Sequence, residues 1–143
     1  MSEENKAIAR RIWEEIWNQG NLDVVDEIFD ASYVSHGLGV ELPPGSEGFK
    51  QWVSIIHSAL PDIYYTIEDQ IAEGDKVVTR WTARGTHKGE LMGIAATGKR
   101  GTITGMSIIR IVGGKIVETW NNWDALGMMQ QVGVVPAMGQ GGE

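Results

Sequence analysis

Thr102-Ile103-Thr104-Gly105-Met106-Ser107-Ile108-Ile109-Arg110-Ile111-Val112, then Gly113-Gly114, then Lys115-Ile116-Val117-Glu118-Thr119-Trp120-Asn121-Asn122-Trp123 reads as two long strands joined by a tight turn. β-Branched and aromatic residues fill both arms. The two consecutive glycines supply the positive φ that both central positions of a primed hairpin turn require. Upstream, Lys76 to Thr86 is rich in Val, Thr and Trp, and Glu73-Gly74-Asp75 turns it back onto an earlier segment. In that segment Ile63, Tyr65, Ile67 and Ile71 fall on odd positions, the alternation of a half-buried strand. Downstream, Ala125 to Val132 reads as a short terminal helix and the Met-Gly-Gln-Gly-Gly-Glu end as a disordered tail.

The first half has a different period. Ile8, Ile12 and Ile16 recur every four residues with Trp13 beside them, which makes one apolar helical stripe. Ser2 suits the start of that helix and Gly20 its end. A short second helix follows, with Leu22, Val25, Ile28 and Phe29 on one side, and then a loop around His36. After Pro43-Pro44-Gly45 a third helix opens at Ser46, buries Phe49, Trp52, Val53, Ile56 and Leu60, and stops at Pro61. Helices followed by antiparallel strands predict an α+β domain, three N-terminal helices packed on a curved, mostly antiparallel sheet. The glycines at 85, 89, 93, 98, 101 and 105 fit a sheet that bends sharply into a cone with a deep interior.

The 143 residues suit one domain spanning 1–143. With no cysteine, disulfides, thiolate metal sites and a cysteine nucleophile are all excluded. The net charge of −7, with scattered Lys and Arg, argues against nucleic acid and against acidic membranes as partners. No apolar run approaches the ~18 residues of a membrane span, and the charged N-terminus does not read as a secretion signal, so a cytoplasmic location is expected. Six Trp in one small domain are partly core and partly suited to the walls of a cavity for a hydrophobic or aromatic small molecule.

Three stretches carry a family likeness: RWTARGTHKGELMGI at 80–94 with ATGK at 96–99, GGKIVETWNNWDALGMMQQVGVVP at 113–136, and Asn18-Gln19-Gly20-Asn21-Leu22-Asp23. Together they resemble the SnoaL-like polyketide (ester) cyclases of the NTF2-like superfamily. The resemblance implies a cone-shaped α+β barrel, a homodimer, and cofactor- and metal-free closure of a polyketide ester ring by intramolecular aldol condensation. It also implies a carboxylate after the last strand as general acid/base, which the Glu-x-Trp-x-x-x-Asp pattern puts on Asp124.

An aldol closure needs a proton removed beside a carbonyl and another delivered to the alkoxide. One carboxylate with a pKa raised by an apolar site serves both, a contribution of ~10²–10⁴-fold. Asp124 also stands where a helix N-cap belongs, and the sequence leaves both roles open. His87 is placed beside it as a second catalytic group, a hydrogen-bond donor to the substrate carbonyl, with a loop-stabilising role as its alternative. Substrate contacts are assigned to Arg80, His36, Trp120, Asn122 and Trp52. Trp120, Asn122 and Asp124 share strand parity, whereas Arg80 and His87 do not unless Gly85 supplies a bulge. Arg80 needs a carboxylate, with Glu118 and Asp124 in reach along the sequence pattern. His57 reads as structural, and no metal-ligand spacing appears.

Gly93 to Lys99 spells most of a phosphate-binding loop, but Arg100 replaces the hydroxyl that holds magnesium and a strand follows. An epoxide-hydrolase reading needs an Arg-x-Asp pair, and Thr82 occupies its third position. The remaining alternative is a non-catalytic binding or protein-interaction module of the same fold. A carboxylate inside the cavity with an unpaired histidine beside it marks the enzyme; Asp124 capping a helix at the surface marks the module.

Overall fold

The computed structural model describes residues 2–38 and 41–134; the predicted tail lies outside them. Helix α1 (Ser2–Arg11) runs into a π-helical stretch, Ile12–Trp17, and is followed by α2 (Asp23–Ile28), strand β1 (Phe29–His36) and α3 (Ser46–Ala59). Strands β2 (Tyr64–Glu73), β3 (Lys76–Thr86), β4 (Arg100–Val112) and β5 (Lys115–Trp123) precede α4 (Ala125–Gln131). The strands form one sheet in the order β1-β5-β4-β3-β2, antiparallel throughout except for the parallel pair β1–β5.

The predicted α+β fold is this one, with β1 as its main addition. The second helix ends at Ile28, and Phe29 begins an edge strand. Asp-Ala-Ser-Tyr-Val-Ser-His has too few apolar residues to alternate cleanly, and its strand partners all come from β5, more than eighty positions later.

The helices cover the concave face of the sheet. Ile12, Trp13, Ile16 and Trp17 are all buried. A π turn carries about one more residue than an α turn, so Trp13 and Trp17 come close to a common face, and the Asn18 amide donates to the Trp13 carbonyl at 3.0 Å. Inward-facing strand residues are Val77, Thr79, Trp81 and Ala83 on β3, Ile103, Ser107, Ile109 and Ile111 on β4, and Ile116 and Thr119 on β5.

Two expectations about facing are corrected here. The shared strand parity of Thr79, Trp81 and Ile109 suggests, in sequence, an apolar patch on the outer sheet face for pairing two copies, but that parity is the concave one, and they are 0, 8 and 2 % exposed. They belong to the core and supply no outer patch. The outer face instead presents Met106 and Ile108. Ile71 is 66 % exposed although Tyr65 is buried, because a bulge between Ile67 and Asp69 reverses the alternation.

Candidate ligand cavity

Helices and sheet enclose a cavity of about 70 Å³. Trp13, Trp17, Phe49 and Trp52 from the helical layer and Tyr65, Trp81, Ile103 and Ile109 from the sheet line it. Trp52, read from the sequence both as helix core and as a substrate contact, is buried and borders this cavity. A groove of about 740 Å³ adjoins along β1 and the following loop, and Tyr33, Leu38 and Phe49 line both spaces.

The polar part of the cavity comes from alternate residues of three adjacent strands. Trp81 Nε1 donates to Ser107 Oγ at 3.2 Å, and Ser107 Oγ donates to Asn121 Oδ1 at 2.9 Å. Asn121 Nδ2 donates to the His36 carbonyl at 3.0 Å and to Thr119 Oγ1 at 3.2 Å. Because a carbonyl only accepts, that contact settles which end of the amide is nitrogen. Thr119 Oγ1 and Tyr33 Oη lie 3.2 Å apart.

These five side chains bring six polar hydrogens, and the five hydrogen bonds engage one each, so one hydroxyl hydrogen stays free. Polarisation along the run favours continuing it in one direction, Asn121 to Thr119 to Tyr33, which leaves the phenol as terminal donor. Burial pushes the Tyr33 phenol above its ordinary pKa, partly offset by the hydroxyls of Ser35 and Thr119 beside it, so it remains protonated at neutral pH. Ser35 Oγ itself is buried without a hydrogen bond of proper geometry.

Trp81 depends on Gly105. The two residues face each other across β3 and β4, and a Cβ on Gly105 would fall inside the Trp81 indole. Only glycine leaves room for the ring to lie flat on the sheet.

The remaining sequence-assigned residues stand elsewhere. Asp124 is exposed and caps α4, its Oδ1 accepting from the Gly127 amide at 2.8 Å. With Arg80 and Asn122 it lines a depression of about 450 Å³ on the outer sheet face. Arg80 pairs with Asp69 at 2.9 Å, a cross-strand neighbour, rather than with Glu118 or Asp124. The parity argument for Trp120, Asn122 and Asp124 therefore holds, but for the convex side. The β3–β4 register runs unbroken from Lys76 to Thr86, so Gly85 supplies no bulge and Arg80 stays outside.

His36 is exposed, bonded to Glu118 Oε2 at 2.7 Å and stacked on Trp120 with ring centres 5.6 Å apart. His87 is 2 % exposed, with Nδ1 3.1 Å from Thr97 Oγ1 and Nε2 unpartnered, and it is not among the cavity's lining residues. His57 reaches the Trp17 carbonyl at 2.9 Å and is structural, as read. Among the described residues, no Asp, Glu, His, Lys or Arg lines the cavity. Among the described residues no His, Cys, Asp and Glu cluster is placed to hold a metal, and no helix is long and apolar enough to cross a membrane.

The SnoaL-like polyketide cyclase family model matches residues 7–132, and the chain belongs to that family. Aklanonic acid methyl ester cyclase DnrD of Streptomyces peucetius is 32% identical over 122 residues, 83% of this chain and 84% of that one. The structure of TsrD from Streptomyces laurentii superposes with a TM-score of 0.86 at 27% identity, over 94% of this chain and 98% of the other. IdmH, a putative polyketide cyclase from Streptomyces antibioticus, gives 0.78 at 30% identity, over 90% and 98%.

Proposed function

We propose that this chain encloses a carbonyl-bearing polyketide ester in the aromatic cavity and promotes its ring closure, with Tyr33 as the donor to the carbonyl under attack. The observation that carries the reading is the run of hydrogen bonds that reaches the Tyr33 phenol inside an otherwise apolar space. An enol attacking a carbonyl forms the new C–C bond, and the enol O–H supplies the proton that the new alkoxide takes up. The step starts from the enol tautomer, which forms beforehand as the α-carbon gives its proton to solvent and the carbonyl oxygen takes one up. Confinement of a flexible chain in a near-attack shape is worth up to ~7–11 kcal/mol in well-oriented systems, and a prepared donor at the developing oxyanion adds to it.

A cavity of about 70 Å³ is smaller than such a substrate. The larger part of the molecule would extend past Tyr33, Leu38 and Phe49 into the groove that shares them. Tyr33→Phe is expected to keep the fold and to lower the ring-closure rate by ~10-fold or more, the scale of one lost charge-assisted hydrogen bond. Steady-state kinetics on a polyketide methyl ester measures this, and an unchanged rate would remove Tyr33 from the mechanism.

A second reading, a holding module without turnover, is favoured by a cavity lining that, among the described residues, includes no carboxylate or imidazole side chain. It predicts binding of the same ester with no product formed. We further propose that two copies pair through the outer sheet face around Met106 and Ile108, which are 55 and 37 % exposed. Sedimentation velocity should show a dimer that Met106→Lys dissociates; a concentration-independent monomer would end this proposal.

A further inference from the structure

The connection between β3 and β4 touches the cavity with a single buried side chain. From Lys88 to Arg100 only Leu91 is buried, at 3 % exposure, and it lines the cavity while Glu90 and Met92 beside it lie exposed. Leu91 and Ile94 exchange both backbone hydrogen bonds at 2.9 Å, so Met92 and Gly93 form a two-residue hairpin turn. Their φ angles are 52° and 81°. Positive φ at both central positions is the primed-turn geometry, which glycine takes freely and methionine only with strain.

The base of this hairpin is strapped down and its tip is not. The Lys88 and Gly89 amides donate to the Ala59 carbonyl at the end of α3, at 2.9 and 3.0 Å. The His87 amide donates to the Lys99 carbonyl, and the Gly98 amide to the His87 carbonyl. Thr97 Oγ1 lies 3.1 Å from His87 Nδ1 and accepts from the Lys99 amide at 3.3 Å, whereas His87 Nε2 is buried without a partner. Among the described residues, none from Glu90 to Ala96 makes a hydrogen bond or ion pair to the body of the domain. Burial of Leu91 holds the tip, and a segment with so few ties opens ahead of the core. The strap also fixes where the hairpin sits. Gly85, at the end of β3, lies under the cavity-lining Leu60 and Ile63, opposite Gly101 on β4. Thr119, the neighbour of Tyr33, stands opposite Ile109, farther along β4 than the cavity-lining Ile103 by roughly 20 Å of strand. Leu91 therefore closes the end of the cavity remote from Tyr33.

We infer that the hairpin from Glu90 to Ala96 is a gate over a second mouth of the cavity, with Leu91 as its plug and the His87–Thr97 contact as the latch at its base. Compact small molecules exchange with the interior by lifting this hairpin, without passing through the groove beside β1. The inference rests on the reading that the cavity is a ligand site.

The test follows the binding of 1-nitronaphthalene, a flat quencher, by stopped-flow tryptophan fluorescence, since Trp13, Trp17 and Trp52 line the cavity. Thr97→Val keeps the side-chain shape and removes the contact to His87, at an exposed residue that is not part of the cavity lining. Association and dissociation rate constants should rise together by about three- to tenfold, the worth of one hydrogen bond, while Kd moves less than about twofold. Leu91→Ala should raise both rate constants at least as much. If the hairpin is only wall, Thr97→Val leaves both rate constants alone and Leu91→Ala acts on dissociation without speeding association. That pattern would overturn the gate and leave the cavity reading standing. Acceleration by Leu38→Ala alone, at the groove end, would do the same by making the groove the working mouth. Absence of any binding to the wild-type chain would overturn both.

Discussion

Asn121→Leu should be the most damaging single change on the inner face of the sheet. Leucine fills a similar volume but leaves the Ser107 hydroxyl without its acceptor and removes a donor from the His36 carbonyl. Ser107 is 3 % exposed, so water does not easily replace the lost partner. Orphaned groups of this kind cost ~1–3 kcal/mol each, which places the total at roughly 2–5 kcal/mol. The same change one residue along, Asn122→Leu, falls on the exposed convex side and should stay within about 0.5 kcal/mol of wild type. Urea denaturation of both variants makes the comparison. Equal losses would mean that the Asn121 amide is not the node of the network.

Gly105→Ala is the second large effect, and it arises from a single methyl group. The added Cβ would overlap the Trp81 indole, which is packed in the core, so ring or strand must shift. Overpacking of this kind costs ~1–3 kcal/mol, and tilting the ring also stretches its 3.2 Å bond to Ser107. The origin of the loss can be isolated with a double-mutant cycle. In a Trp81→Phe background the smaller ring leaves room, so adding Gly105→Ala should cost at least about 1 kcal/mol less than it does in the wild type. Strict additivity would show that the clash is not with Trp81.

Much of the fold was legible because its signals are local. The Gly113-Gly114 hairpin, the four-residue period of Ile8, Ile12 and Ile16, and the stop at Pro61 each depend on a few adjacent residues. Strand β1 was not legible, since its pairing with β5 is long-range and its own pattern mixes Asp, Ser and His with Tyr and Val. Parity along β5 was read correctly, but parity alone does not say which side is concave. That single binary choice separates Asn121, Thr119 and Ser107, on the concave side, from Asn122, Trp120 and Asp124 on the convex side.

A signal for the correct side did exist in the sequence. On β4, Ile103, Ile109 and Ile111 are apolar at odd positions, whereas the even ones mix Thr102, Thr104 and Arg110 with Met106, Ile108 and Val112, so the signal is partial. Carried across the hairpin in register, Ile109 opposite Thr119 and Ser107 opposite Asn121, this assigns Thr119 and Asn121 to the interior. Trp81 also faces inward, because it pairs with Gly105, an odd position on the same strand. Arg80, as its neighbour, must then face out, where Asp69 meets it.

Asp124 separates the two accounts of this protein most directly, because the family pattern points to its carboxylate and the structure gives that carboxylate a capping role. Asparagine caps a helix about as well as aspartate and would keep an oxygen for the Gly127 amide, but it takes up no proton at neutral pH. The measurement is the rate of ring closure on a polyketide methyl ester by Asp124→Asn beside the wild-type chain and Tyr33→Phe. A site built from the neutral run ending at Tyr33 predicts that Asp124→Asn stays within about twofold of wild type while Tyr33→Phe falls by ~10-fold or more. A loss of ~10²-fold or more in Asp124→Asn, with its melting temperature unchanged, would contradict that site and return the chemistry to the carboxylate.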